Sequence, residues 1–126
     1  MFKYLIATDG SENSLRAAEY VLSVAGKHKN VQVNILSVKD AAAWFTESVD
    51  EYVQKTAAVF DGTDLKVNTL IKEGRAAETI VETANELGVD QIIMGARGLG
   101  KIKGMVLGSV SQQVVKLSER PVTIIK

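Results

Sequence analysis

Apolar positions along the chain follow two rhythms. Apolar runs of strand length stand at Tyr4–Thr8, Val31–Val38, Leu65–Ile71, Gln91–Gly95 and Val122–Ile125, as expected of strands covered on both faces. Between them apolar residues recur at helical spacing. Leu15, Ala18, Val21, Leu22 and Ala25 follow a candidate cap at Ser11, and Ala77, Ile80, Val81, Ala84 and Leu87 lead to a stop at Gly88. A further helix is expected within Thr46–Phe60. A short one is expected over Ser109–Leu117, halted before Pro121 because the residue ahead of a proline resists the α region. Five strands alternating with about four helices predict an α/β fold: a three-layer, doubly wound sheet of five parallel strands, in the order 3-2-1-4-5.

That architecture says where to look for a site. In such sheets a ligand lies beyond the carboxyl ends of the strands, where the strand order reverses. The segments placed there are "IATDGS" after strand one, "LSVKD" after strand two, "IKEGR" after strand three and a glycine-rich loop after strand four. Asp9 and Gly95 should then face one crevice.

Composition narrows the partners. A length of 126 residues is expected to make one domain over 1–126, without repeats or a low-complexity linker. Fifteen basic residues balance fifteen acidic ones, so no global field draws the protein to nucleic acid or to an anionic membrane. The absence of cysteine excludes disulfides, thiolate metal sites and thiol nucleophiles. The apolar start is too short for a signal segment and no run approaches a membrane span, so a cytoplasmic protein is expected.

The loop "MGARGLGKIKGMVLGS", residues 94–109, holds five glycines and three basic side chains. Two familiar phosphate loops almost fit it. Read from Gly95, it follows the P-loop through Gly100 and Lys101, but Ile102 stands where a Ser or Thr hydroxyl should reach magnesium. Gly98, Gly100 and Gly104 are spaced one residue too widely for the dinucleotide fingerprint. At the far end Gly108 and Ser109 open a helix, where unpaired N–H groups and the positive end of the macrodipole favour an anion. Ser109 can act there as the helix N-cap and as a donor to phosphate. Arg97, Lys101 and Lys103 can offset polyphosphate charge or stand solvated. Asp9 can accept hydrogen bonds from ribose hydroxyls or help cap the first helix.

Counted in another way, the loop reads Gly95, two residues, Gly98, nine residues, Gly108 and Ser109. In this the sequence resembles the ATP-binding branch of the universal stress protein family. The resemblance runs end to end, through "YLIATDGSENS", "NILSVKD", "IIMGARG", "GSVSQQVV" and "RPVTIIK". It implies an adenine nucleotide alpha hydrolase-like fold with ATP, accompanied by Mg or Mn, across the ends of strands one and four. It further implies that Ala7 and Val38 border the adenine, with Thr8 beside them, and that Asp9 is the ribose partner. Met94 adds to the apolar slot or packs in the core. Gly95 is implied near the ribose, Arg97 in the same loop, and Gly98, Gly108, Ser109 and Val110 near the phosphates.

Some features depart from the family pattern. "EGRAAET" lacks a proline that many relatives carry at the third helix, and Ala7 replaces a proline of some members. "KDAAAWFTESVDEY" is the least family-like stretch; its Trp44 and Phe45 cover the pocket, meet a partner, or pack with the second helix. The terminal "VTIIK" is implied to pair with its counterpart in a second copy, giving a C2 homodimer. Three functions are compatible with the chain. The first is an ATP-binding regulatory module of the stress response with protein partners unknown, and the second a slow Mg-dependent ATPase. The third, a phosphoacceptor domain, would need an aspartate at the end of strand three, where Lys72 and Glu73 stand. The single histidine, His28, is expected at a helix end away from the strand tips.

Overall fold

The computed structural model describes residues 1–27, 30–40, 48–97 and 107–126. The apolar runs form five strands: β1 (Phe2–Ala7), β2 (Val31–Lys39), β3 (Lys66–Glu73), β4 (Gln91–Gly95) and β5 (Val122–Ile125). All pair in parallel, in the order β3-β2-β1-β4-β5. Ala7 stands opposite both Leu36 and Met94, which aligns the carboxyl ends of the three central strands. The expected order is the observed one. β1 ends at Ala7, so Thr8 already belongs to the turn, and β3 runs on to Glu73.

Among the described residues four α-helices cover the sheet: α1 (Glu12–Ala25), α2 (Val49–Ala57), α3 (Ala76–Leu87) and α4 (Ser109–Leu117). A 3-10 turn, Ala58–Phe60, follows α2. Ser11 caps α1, its side chain accepting from the Ser14 N–H at 3.2 Å. Gly88 ends α3 at φ 64°, a left-handed position that glycine takes without steric cost. The N-cap of α4 is Gly108, one residue before the expected Ser109, which is the first helical residue instead. No helix among the described residues is long and apolar enough to cross a membrane.

Strand alternation divides the core into two layers. Tyr4, Ile6, Val33, Ile35 and Ile93 pack against Ala17, Ala18, Val21 and Ala25 of α1 and Val53 of α2. Leu5, Leu36, Ile92 and Met94 pack against Ala77, Ile80 and Ala84 of α3 and Val114 of α4. Leu5, Ile6, Ile35, Leu36, Ile92 and Ile93 have no exposed surface, and burying a side chain of that size contributes about 1.5–3 kcal/mol. The two edges differ: β3 carries Lys66, Lys72 and Glu73, whereas β5 carries no charge.

Candidate functional site

A cavity of about 430 Å³ opens at the carboxyl ends of β1, β2 and β4, where the strand order reverses. Three elements build it, each from a short local sequence.

The first is the turn after β1. Gly10 adopts φ +78° and lets the chain reverse into α1. Asp9 Oδ1 accepts from the Ser11 N–H at 3.0 Å and from Ser14 Oγ at 2.8 Å, while the Asp9 N–H donates back to Ser14 Oγ at 3.2 Å. Asp9 therefore orders the helix entry and lines the cavity at once. Thr8 ties this turn to α2. The Thr56 hydroxyl donates to the Tyr52 carbonyl at 2.7 Å, and each hydroxyl has one proton, so the 2.8 Å contact between Thr8 and Thr56 runs from Thr8 Oγ1 to Thr56 Oγ1. Thr8 Oγ1 in turn accepts from the Gly10 N–H at 3.2 Å. The chain Gly10, Thr8, Thr56, Tyr52 is thus directional and ends on the backbone of α2.

The second element is the pair of points where the glycine loop leaves the sheet and returns. The Gly108 N–H donates to the Ala96 carbonyl at 2.6 Å, the Ala96 N–H donates to the Ile125 carbonyl at 2.8 Å, and Ser111 Oγ donates to the Gly95 carbonyl at 2.8 Å. The N-terminus of α4 is thereby pinned to the end of β4. The helix bond from the Gln112 N–H to the Gly108 carbonyl, 3.0 Å, begins the ladder, so the N–H groups of Ser109, Val110 and Ser111 have no acceptor within the helix. All three residues line the cavity.

The third element is apolar. Ala7, Leu36, Val38 and Met94 from the strands and Ala76 and Ile80 from α3 form a continuous wall. The cavity therefore brings together a carboxylate, an apolar slot and helical N–H groups that have no acceptor within the helix. Arg97 borders it as well.

Of the residues expected at the site, Ala7, Thr8, Asp9, Val38, Met94 and Gly95 line this cavity. So do Arg97, Gly108, Ser109 and Val110. Gly98 lies outside the described residues, as do His28, Trp44, Phe45, Lys101 and Lys103. Two expectations are refined. Ser109 lines the cavity without being the cap, because the backbone turns helical one residue earlier than a serine cap would require. Gly95 has a structural duty: a Cβ there would lie 2.6 Å from Asn13 Cβ and 2.9 Å from the Asn13 carbonyl carbon.

Sequence reasoning missed Ser14, Leu36, Ser37, Tyr52, Ala76, Ile80 and Ser111. Ser14 and Ser111 were within reach, each sitting one helical turn or less from a residue already singled out. Tyr52 carried no signal, because the lean of α2 over the end of β1 is a tertiary fact.

The family model described as Universal stress protein family matches residues 1–126. Universal stress protein MJ0531 of Methanocaldococcus jannaschii is 30% identical over 139 aligned residues, covering 98% of this chain and 81% of that protein. The solved structure of the hypothetical protein MJ0577, which carries the name universal stress protein in the same organism, superposes with a TM-score of 0.85 at 31% identity, covering 99% of this chain and 95% of that one. The universal stress protein family protein At3g01520 of Arabidopsis thaliana, solved with AMP bound, shares the fold at a TM-score of 0.76 and 21% identity, covering 100% of this chain and 92% of that one.

Proposed function

The chain belongs to the universal stress protein family, and from that premise we propose that it is an ATP-binding regulatory module of the stress response. One observation carries the reading. A carboxylate, an apolar slot and N–H groups of a helix start that have no helical acceptor line a single cavity at the strand-order switch. These are the complements of the three parts of an adenine nucleotide: ribose hydroxyls, base and phosphates. In this reading Asp9 meets the ribose, with Thr8 and Gly95 beside it. Ala7, Val38 and Met94 border the adenine, and Gly108, Ser109 and Val110 receive phosphate with help from Arg97 and Gly98. The AMP held by the Arabidopsis relative supports the ligand class.

Gly108 adds weight at the phosphate end. Its φ of −69° is open to any residue, so its backbone angle alone does not call for glycine, while a bare backbone lets an anion approach the helix start. Among the described residues no three His, Cys, Asp or Glu side chains come together to hold a metal. A magnesium or manganese ion arriving with ATP would take most of its oxygen ligands from phosphate and water. Binding is favoured over hydrolysis because Asp9, the one carboxylate lining the cavity among the described residues, has Oδ1 already committed to two donors in its turn.

The same reading includes one domain over 1–126 and a homodimer through β5. The carbonyls of Pro121 and Ile125 bond to β4, so by strand alternation the backbone groups of Val122 and Ile124 point off the sheet. An edge with no charge to guard it invites a second copy.

The experiment is a thermal and calorimetric titration with ATP and magnesium, with any nucleotide carried through purification identified by mass. At a hundredfold excess over Kd, ATP should stabilise by about 2.7 kcal/mol. Gly108→Val should abolish that gain. No stabilisation of the wild type at millimolar ATP sinks the proposal, and phosphate release above blank that is lost in Gly108→Val would replace the binder with an ATPase.

A further inference from the structure

We propose that Tyr52 is a ligand-contacting residue, through which α2 supplies the wall of the cavity that binds the nucleoside end of the nucleotide. The inference rests on the nucleotide reading above and adds to it a residue outside the glycine loop and the strand tips.

The position of the ring is fixed by Gly10. A Cβ built on Gly10 would come 2.3 Å from Tyr52 Cδ1 and 2.8 Å from Cε1, so the ring lies directly on the turn that carries Asp9. Tyr52 is half-buried and also lines the cavity. Part of the ring therefore packs on the turn, and part is presented to whatever fills the space beside the Asp9 carboxylate.

The ring is also held in place from behind. Val53, 1% exposed, and Thr56, fully buried, anchor the same helix in the core. The hydroxyl chain from Gly10 through Thr8 and Thr56 ends on the Tyr52 carbonyl, and the Tyr52 N–H donates to Ser48 at 3.0 Å. A ring ordered before the ligand arrives loses little freedom on binding, which is the condition for an aromatic side chain to contribute to affinity.

Its chemistry suits the nucleoside and not the phosphates. A tyrosine presents a flat apolar face with one hydroxyl, which matches the C–H surface of a sugar or the face of a base. The groups suited to phosphate belong to other elements, the start of α4 and Arg97. Tyr52 pairs instead with Asp9: one grips hydroxyls, the other covers carbon.

The test uses the wild-type chain, Tyr52→Ala and Tyr52→Phe. ATP affinity is measured by calorimetry below the unfolding range of each variant. Tyr52→Ala should weaken ATP roughly fivefold to tenfold, in keeping with the loss of one aromatic contact. Tyr52→Phe should stay within about twofold of wild type, since the ring survives. Unfolding curves without ligand separate the packing of the ring on Gly10 from its contact with ATP. A second measurement does not depend on either variant's stability. The chain has three tyrosines, so comparison with Tyr52→Phe assigns the Tyr52 ring protons, and in ATP-saturated wild type these should show intermolecular nuclear Overhauser effects to ribose or adenine protons. If wild type binds ATP without such effects, Tyr52 is a packing residue and this inference alone is overturned. If wild type binds no ATP, the nucleotide reading fails and takes this one with it.

Discussion

Gly95→Ala separates the two reasons a glycine can stand at the end of β4. If the ligand requires it, the substitution should cost affinity and leave the empty protein intact. If the fold requires it, the empty protein should suffer. The structure points to the second. The new Cβ would sit 2.6 Å from Asn13 Cβ, 2.9 Å from the Asn13 carbonyl carbon and 3.1 Å from its oxygen. Two of those three atoms are backbone at the start of α1, and Asn13 is 1% exposed. The helix cannot yield by turning one side chain. It must lift from β4 as a body, and it is seated there through Ala17, Ala18, Val21 and Ala25, none of which has exposed surface.

Forcing a methyl into such a contact costs about 1–3 kcal/mol. Against it, Gly95 is not at positive φ, so alanine restricts the unfolded chain and returns roughly 0.4–1 kcal/mol. The net expectation is a loss of about 1–2 kcal/mol, or roughly 4–8 °C in Tm for a chain of this size. The assay is urea and thermal unfolding of nucleotide-free protein, with ATP affinity measured separately. Should ligand-free Gly95→Ala match wild type in both unfolding experiments while ATP binding collapses, the packing argument is wrong and the glycine serves the ligand.

Three further outcomes follow from particular contacts. Thr56→Val leaves the Thr8 hydroxyl without an acceptor in a buried place, which should cost about 1–3 kcal/mol in urea unfolding, with Thr56→Ser restoring most of it. An unchanged midpoint in the valine variant would show that Thr8 finds another acceptor. Ile124→Pro replaces an N–H that points away from β4, so if the proposed dimer forms through β5, sedimentation should show a dimer for wild type and a monomer for the variant, with circular dichroism confirming that the variant folds. Persistence of the dimer would place the interface elsewhere. Tyr4 has its hydroxyl pKa raised above the ordinary 10.0, first by burial and second by Tyr20. The folded state then holds its proton longer than the unfolded chain, so this contribution is complete below pH 10 and is lost as pH rises from there through the folded pKa. Tyr4→Phe should lessen the alkaline loss of stability, and equal loss in both proteins would clear Tyr4 of the effect.

What the sequence disclosed about this fold depends on which physical constraint each residue answers to. Leu5 and Ile6 are adjacent, face opposite layers and are both fully buried, so a covered parallel strand shows up as an unbroken apolar run. Once the runs and their helical interludes are legible, handedness and the short crossovers leave little choice of order, and the tips of the strands become known places. Asp9 and Gly95 are placed that way, while Val38 and Met94 follow from the family resemblance. Tyr52, Ala76 and Ile80 come by neither route, since they reach the cavity through the inclination of α2 and α3. Periodicity reports which stripe of a helix is buried, as Val49 and Val53 are, but the angle at which that stripe crosses the sheet arises from how all the side chains pack.

The glycine loop shows a subtler limit. In sequence its glycines form one object with one spacing, yet the two ends that the structure describes answer to different forces. Gly95 is small because Asn13 of α1 lies against it, a demand that exists before any ligand arrives. Gly108 adopts a φ of −69° that any residue can take, yet its N–H closes the loop on Ala96 and its residue heads the helix whose first three N–H groups are free of helical acceptors. Under the proposed function the same motif is therefore half scaffold and half ligand surface. In that reading Gly95 serves the fold and Gly108 the ligand, and a substitution series along the loop should divide accordingly, with stability falling at the β4 end and affinity at the α4 end.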